Sequence, residues 1–284
     1  MCNHGERWLR GALIGKGGFG SVFLATPDKR KRGLLTGNFP ALMAHEAEVL
    51  FEIKGCSFIS EWFGEEITTT KKGNKVHNLL LEYAAGGTLD GLIQRSNGHG
   101  LPEAHVKAYT PSILEELIHI HKCDYVHCDL KPENILLVPS TTTSTVVAKI
   151  ADFGLSKRSK EKYSGWRSTP RYLSIEALKD IKQDESSDIL PWELKPGCSD
   201  HVDILDVAML DHLRTSRIAA EISYVVRDFL ESCLAMKPGR RLTAEELLSH
   251  PVKVVNSALG QAYGVCCFKP SAKYHASTAI VPRI

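Results

Sequence analysis

The sequence predicts an α+β fold in two parts, a small antiparallel sheet followed by a mostly helical region. Apolar strand patterns interrupted by glycine-rich breaks occupy the first third of the chain, and the later part has the spacing of amphipathic helices. The 284 residues, with 43% hydrophobic content, suffice for one globular unit or two closely packed lobes. A cleft is expected where the strand-rich part ends, near residues 83–87.

A glycine-rich turn joins the first two predicted strands. Residues 9–25 have a strand, turn and strand pattern, with Gly15, Gly17 and Gly20 in the turn and Val22 after it. This spacing is compatible with a plain β-turn, a dinucleotide-binding turn, or a hairpin whose backbone approaches the phosphates of ATP. A dinucleotide-binding turn requires a helix after the glycines, whereas the residues from Val22 onward have a strand pattern.

Hydrophobic periodicity predicts the other elements in order. Strands are expected at residues 39–44, 76–83, 135–138 and 146–148. Helices are expected at residues 45–51, 106–121, 224–234 and 243–249.

Composition excludes several classes of protein. A net charge of +2 is too small to indicate a nucleic-acid-binding surface, and no apolar run is long enough for a membrane span. Residues 1–10 are polar and lack the apolar segment of a signal peptide. The eight cysteines show no regular spacing, so we expect reduced thiols in a cytoplasmic or nuclear protein.

The most informative segment is residues 127–137, HCDLKPENILL, followed at residues 149–154 by KIADFG. The pattern Asp-x-Lys-x-x-Asn with a later Asp-Phe-Gly is that of the phosphoryl-transfer loops of protein kinases. A polar turn between a helix and a hairpin would not explain why both motifs occur downstream of the glycine-rich turn. The chain resembles a eukaryotic serine/threonine protein kinase, and Pro132 and Glu133 after Lys131 favour that branch over tyrosine kinases.

The resemblance implies a role for each motif residue. Asp129 would accept the proton of the substrate hydroxyl, and Lys131 would neutralise charge on the transferred phosphoryl group. Asn134, also part of the catalytic loop, would bind Mg²⁺ together with Asp152. The residues implied in ATP binding are Ile14, Gly15, Gly17, Gly20, Val22, Ala44, Leu81, Glu82, Ala84 and Leu136. Glu176 and Arg241 match a buried ion pair, and Thr169 matches a threonine that bonds back to the catalytic loop.

Within the family, the segments at residues 39–44 and 149–157, and the loop with Cys128, are most similar to plant MAP kinase kinase kinases of the MEKK type. This similarity implies a bilobal protein-kinase-like fold, ATP and Mg²⁺ as cofactors, and a MAP kinase kinase as the protein substrate. The implied domains are an N-lobe at residues 1–83, a C-lobe at residues 84–255 and a tail at residues 256–284 that carries no recognisable motif.

The sequence departs from the family at two places, so we expect an incomplete fold. The family's third strand ends in a lysine, but here His45 and Glu46 follow Ala44 directly. Where the family has a long apolar helix, Pro191 and Pro196 prevent a continued helix.

Two functional hypotheses therefore remain open, beside a third possibility, an unstable fragment that does not fold. The chain is a serine/threonine kinase of a MAP kinase cascade, or it is a catalytically impaired pseudokinase or scaffold from a shortened transcript or gene model. The retained Asp129 and Asp152 favour the kinase, and the missing lysine favours the pseudokinase. Glu46 is the expected glutamate partner of that lysine, with Glu48 as second candidate.

Overall fold

The structure, a computed structural model, describes residues 7–16, 21–28, 41–56, 59–69, 73, 75–96, 101–140, 145–162, 174, 176–177, 182–189, 223–235, 237–251 and 278–283. Gly17, Gly20, Thr169, Pro191 and Pro196 lie outside these residues, and so does the segment expected to lack the long helix. Among the described helices, none combines the length and apolarity needed to cross a bilayer.

The described elements are named in chain order. The strands are β1 (Arg7–Lys16), β2 (Ser21–Asp28), β3 (Trp62–Thr69), β4 (Lys75–Glu82), β5 (Tyr125–Val126), β6 (Ile135–Pro139), β7 (Val146–Ile150), β8 (Lys157–Arg158) and β9 (Thr278–Arg283). The α-helices are α1 (Ala41–Glu52), α2 (Leu89–Arg95), α3 (Glu103–Lys122), α4 (Glu185–Ile189), α5 (Tyr224–Cys233) and α6 (Ala244–Leu248). Short 3-10 turns lie at Pro132–Asn134, Phe153–Leu155 and Pro238–Arg240.

The α+β prediction is confirmed. A five-stranded sheet in the order β1-β2-β9-β4-β3 forms the N-terminal part, and helices dominate the later part. Two small antiparallel pairs, β5 with β8 and β6 with β7, bracket the predicted catalytic segments. The limits proposed for the two lobes and the tail remain predictions, although the tail contributes β9 to the N-terminal sheet.

One predicted strand is wrong, and four observed strands were not predicted, of which β5 and β8 have only two residues each. Residues 41–44 belong to α1, not to a strand, because Ala, Leu and Met are strong helix formers and a short apolar run does not distinguish the two states. The strand β3 was missed because Gly64, Glu65 and Glu66 interrupt its apolar pattern. The strand β9 was missed because its partners are more than 190 positions earlier in the sequence.

The N-terminal sheet is apolar on both faces. Leu79 and Leu81 belong to the main core together with Val49 and Ile53 of α1. The intervening Leu80 packs in a small second cluster on the opposite face, as the alternation of side chains along a strand requires. The helix α1 therefore covers one face of the sheet.

A buried ion pair joins the segments at residues 176 and 241, as the sequence predicts. Nη1 of Arg241 donates to Oε1 of Glu176, and Nη2 donates to Oε2 at 2.8 Å. Both side chains are almost fully buried. Burial raises the pKa of Glu176, but the hydrogen bonds and charge of Arg241, together with hydrogen bonds from the backbone and from Ser174, outweigh it, and the pKa is lowered. This bidentate geometry ties the segment at residue 176 to the segment before α6.

A second buried carboxyl group, Glu116 of α3, lies against β7 and was not predicted. Its Oε2 accepts a hydrogen bond from Ile150 N at 2.6 Å, and the side chain is 0% exposed. Burial raises the pKa of Glu116 well above 4.5, so the neutral carboxylic acid is favoured. The contact holds the end of β7, two residues before Asp152.

We expect Arg241→Ala to destabilise the protein by about 3–5 kcal/mol, because it leaves the carboxylate of Glu176 buried without its cation. The exposed neighbour provides the control, and Arg240→Ala should change the free energy of unfolding by less than about 0.5 kcal/mol. Urea denaturation monitored by circular dichroism measures both. Equal effects of the two substitutions would contradict the structural role given to the ion pair.

The raised pKa of Glu116 predicts a pH-dependent stability with a definite sign. The folded protein holds this proton above pH 4.5, where an unfolded chain releases it, so the stabilisation is complete at low pH and is lost as pH rises through the folded pKa. Glu116→Gln cannot ionise and should flatten this decline above pH 4.5. The measurement is the urea midpoint as a function of pH, and an unaltered slope in Glu116→Gln would refute the assignment.

Candidate active site

The connection after β4 brings the N-terminal sheet into contact with β6. Gly86 N donates to Leu137 O at 2.9 Å, and Leu137 N donates to Gly87 O at 2.8 Å. A Cβ atom at Gly86 would lie 2.6 Å from Leu137 O, so only glycine fits this approach. The expected cleft at residues 83–87 is therefore closed on one side by backbone hydrogen bonds to β6.

An ion pair next to this connection fixes the end of β4. Lys149 Nζ of β7 lies 2.7 Å from Oε2 of Glu82, and both side chains are mostly buried. Glu82 N donates to Glu61 O at 2.8 Å, so the backbone N–H of Glu82 is already satisfied. The end of β4 is thus held from two directions.

Six of the residues predicted to bind ATP lie on four of the strands. Gly15 of β1 pairs with Val22 of β2, and Leu81 near the end of β4 is buried. Leu136 of β6 is half-buried, whereas Ile14 is 47% exposed on β1.

Four other residues predicted to bind ATP do not lie on the described strands. Ala44 lies in α1, so its expected position on a strand is wrong. Ala84 follows β4, and its carbonyl oxygen accepts a hydrogen bond from Gly87 N at 3.0 Å. Gly17 and Gly20 are outside the described residues.

The three residues predicted to be catalytic contact one another directly. Oδ2 of Asp129 accepts hydrogen bonds from Lys131 Nζ at 2.7 Å and from Asn134 Nδ2 at 3.3 Å. Asn134 Nδ2 also donates to the backbone oxygen of Asp129 at 2.9 Å. Asp129 is 2% exposed, so its carboxylate is held in one orientation by charged and amide donors.

A buried histidine connects this loop to the Asp-Phe-Gly segment. His127 Nδ1 accepts a hydrogen bond from Asp129 N, which places the ring proton on Nε2. Nε2 donates to Ala151 O at 3.2 Å, and the ring packs edge-on against Phe153 with centroids 5.1 Å apart. The neutral imidazole therefore fixes the spacing between the two motifs.

Asp188 of α4 holds the backbone of the catalytic loop and was not predicted as a site residue. It accepts hydrogen bonds from His127 N at 2.8 Å and Cys128 N at 2.9 Å, and His121 Nε2 donates to it at 3.0 Å. Cys128 has φ +67°, a left-handed conformation that costs about 1–3 kcal/mol for a non-glycine residue. No local pattern signals this role, because Asp188 is 60 positions away from Cys128.

The two residues predicted to bind Mg²⁺ have suitable chemistry. Because the amide nitrogen of Asn134 is bonded to Asp129, its amide oxygen remains the acceptor end. Asp152 adopts φ +64°, a strained conformation of the kind that occurs at ligand-binding residues. In the part of the chain that the structure describes, no group of three His, Cys, Asp or Glu side chains could hold a metal alone.

The segment after the Asp-Phe-Gly motif is anchored to α1. His45 Nε2 donates to Ser156 O at 2.6 Å, and an Arg158 guanidinium nitrogen donates to Glu52. Lys157 is 4% exposed, and its ammonium group donates to three backbone oxygens of the same turn. Lys157 is therefore committed to the turn rather than presented to solvent.

We expect Asp188→Asn to destabilise the protein by about 1–3 kcal/mol, because an amide oxygen can replace only part of the carboxylate's three hydrogen bonds. Asp124→Asn is the matched control, since Asp124 is exposed and also has a positive φ, which asparagine tolerates. Urea denaturation gives the comparison. Similar free energies of unfolding for Asp188→Asn and the unmodified protein would contradict the role assigned to Asp188.

The chain is similar in sequence to known protein kinases. The protein kinase domain family matches residues 8–252. Mitogen-activated protein kinase kinase kinase 20 of Arabidopsis thaliana is 33% identical over 276 residues, which cover 86% of this chain and 77% of the relative. Mitogen-activated protein kinase kinase kinase 17 of the same plant is 29% identical over 263 residues, covering 86% of this chain and 68% of the relative.

The chain is also similar to a kinase from a yeast. Serine/threonine-protein kinase BCK1/SLK1/SSP31 of Saccharomyces cerevisiae is 30% identical over 283 residues, covering 88% of this chain and 18% of its own length. The family match includes the glycine-rich turn, the catalytic loop and the Asp-Phe-Gly motif. The predicted resemblance to plant MAP kinase kinase kinases is confirmed, and the chain belongs to the protein kinase family.

Proposed function

We propose that this protein kinase transfers the γ-phosphate of ATP to a serine or threonine hydroxyl of a MAP kinase kinase, in the cytoplasm or nucleus. The observation that carries the proposal is the buried carboxylate of Asp129, held by Lys131 and Asn134. The names of the similar plant proteins support a place in a MAP kinase cascade.

In the proposed reaction, Asp129 orients the substrate hydroxyl and accepts its proton as the oxygen bonds to the γ-phosphorus. The bond between that phosphorus and the β–γ bridging oxygen breaks, and ADP leaves. Lys131 lies 2.7 Å from the same carboxylate, so its ammonium group is close to the oxygens of the transferred group and reduces their charge. Because little covalent chemistry is required of the protein, the rate depends on holding these groups in position.

Mg²⁺ would neutralise the phosphate charge, and Asn134 and Asp152 are the side chains proposed to bind it. Leu81 and Leu136 are proposed to contact the adenine ring from opposite sides, with the backbone of the connection at residues 82–84 providing polar contacts. Ile14, Gly15, Gly17, Gly20 and Val22 are proposed to cover the phosphates.

A second candidate function is that of a kinase with low activity. Residues 41–52 form a helix in which Glu46 is buried and Glu48 is exposed, which favours Glu46 as the glutamate that would pair with a cleft lysine. The strand beside β2 and β4 has the sequence TAIVPR, which contains no lysine. Since the lysine–glutamate pair is needed for efficient transfer, we expect slow turnover in the unmodified chain.

We expect Asp129→Ala to reduce phosphate transfer by at least ~100-fold, because the hydroxyl loses its proton acceptor. The assay incubates the full chain with a recombinant MAP kinase kinase, ATP and Mg²⁺, and locates the phosphate by mass spectrometry. Asp124→Asn, at an exposed position outside the catalytic loop, serves as the control. Transfer that persists in Asp129→Ala would rule out the proposed mechanism.

A further inference from the structure

The strand β9 fills a gap in the N-terminal sheet that the earlier part of the chain leaves open. Among the described strands, β2 and β4 are the facing members of two hairpins and do not pair with each other. β9 pairs with β2 at residues 278–280 and with β4 at residues 278–283, and both pairings are antiparallel. Backbone hydrogen bonding on its two sides thus joins the hairpins into a single sheet.

The sequence of β9 suits this position. Thr278, Ile280 and Val281 are β-branched residues, which are favoured in strands. Pro282 pairs with Asn78 of β4, beyond the end of the described register with β2. Because β9 has one described neighbour at that point, the missing N–H of proline is tolerated there.

The register assigns each position of β9 to a face of the sheet. Position 279 pairs with Leu81 and position 281 with Leu79, and residues directly opposite in antiparallel strands share a face. Leu79 and Leu81 belong to the core that includes α1, whereas Leu80, opposite position 280, belongs to the cluster on the other face. Positions 279 and 281 therefore lie on the face covered by α1.

We propose that β9 replaces the strand that carries the cleft lysine in protein kinases, and that position 281 is the place from which this lysine would act. Position 279 lies next to the connection after β4, and position 281 is the next position on the same face. The helix α1 on this face carries the buried Glu46. With valine at position 281, the strand completes the sheet but provides no cation for ATP.

The strand assignment is independent of any activity, and the position of the lysine rests on the proposed function. Two experiments separate these parts. Hydrogen exchange tests the first part in the unmodified full chain, and nucleotide binding by substituted full chains tests the second.

For the unmodified chain, we expect the amides of β9 to exchange at least ~100-fold more slowly than in an unstructured peptide, because they are paired within the sheet. The exchange is followed by mass spectrometry, with β4 as the internal reference. Exchange of residues 278–283 at the unstructured rate, while β4 is protected, would overturn the proposal.

For nucleotide binding, we expect Val281→Lys to lower the Kd of Mg·ATP by about tenfold, because an ammonium group on the α1 face gains charge-assisted contacts to phosphate. Val281→Met supplies an unbranched side chain without charge and should leave the Kd unchanged. Isothermal titration calorimetry measures both. An equal Kd in the two variants, with β9 protected, would overturn the assignment of position 281. No binding of Mg·ATP by any of the three proteins would count against the proposed function instead, while protection of β9 would still support the strand assignment.

Discussion

The hydrogen bonds from the backbone of residues 127 and 128 to Asp188 are the constraint on which the site depends. The chain reverses at Cys128 with a positive φ, and this conformation persists only if its surroundings compensate the strain. Asp188 does so with a buried carboxylate that also bonds to His121 of α3. The catalytic loop is therefore fixed by α3 and α4 together, before any nucleotide binds.

Further contacts connect the catalytic loop to the Asp-Phe-Gly segment, and the sheet to β6 and β7. His127 sets the distance between the catalytic loop and the Asp-Phe-Gly segment, and Glu116 holds β7 immediately upstream of Asp152. On the other side, Gly86 and the pair of Glu82 with Lys149 attach the sheet to β6 and β7. Each link joins elements that are distant in sequence, so the site requires the folded chain.

The sequence predicts features that depend on neighbouring residues, but it does not predict those that depend on contacts between distant parts of the chain. The contacts among Asp129, Lys131 and Asn134 follow from a fixed short spacing, and the ion pair of Glu176 with Arg241 follows from family resemblance. The state of residues 41–44 was missed because packing and helix propensity decide it. Asp188, Glu116 and β9 act on parts of the chain that no local pattern connects to them.

The third strand of the N-terminal sheet is formed by a segment that the sequence does not indicate. The sequence alone indicates a third strand at residues 39–44 that lacks its lysine, whereas in the described sheet β9 occupies the third place. The third strand is present, but position 281, which is proposed for the lysine, is an apolar valine. Reduced phosphate binding is thus expected without collapse of the N-terminal sheet.

The most direct test of the proposed active site is to find where the metal–nucleotide complex binds. Mn²⁺ can replace Mg²⁺ at sites with oxygen ligands, and its unpaired electrons broaden the NMR signals of nearby amides. Addition of Mn²⁺ and ATP to the labelled chain should broaden the amide signals of Asn134, Asp152 and their neighbours, and Asp152→Ala should abolish the effect. Broadening confined to other parts of the chain, or unchanged in Asp152→Ala, would contradict the account.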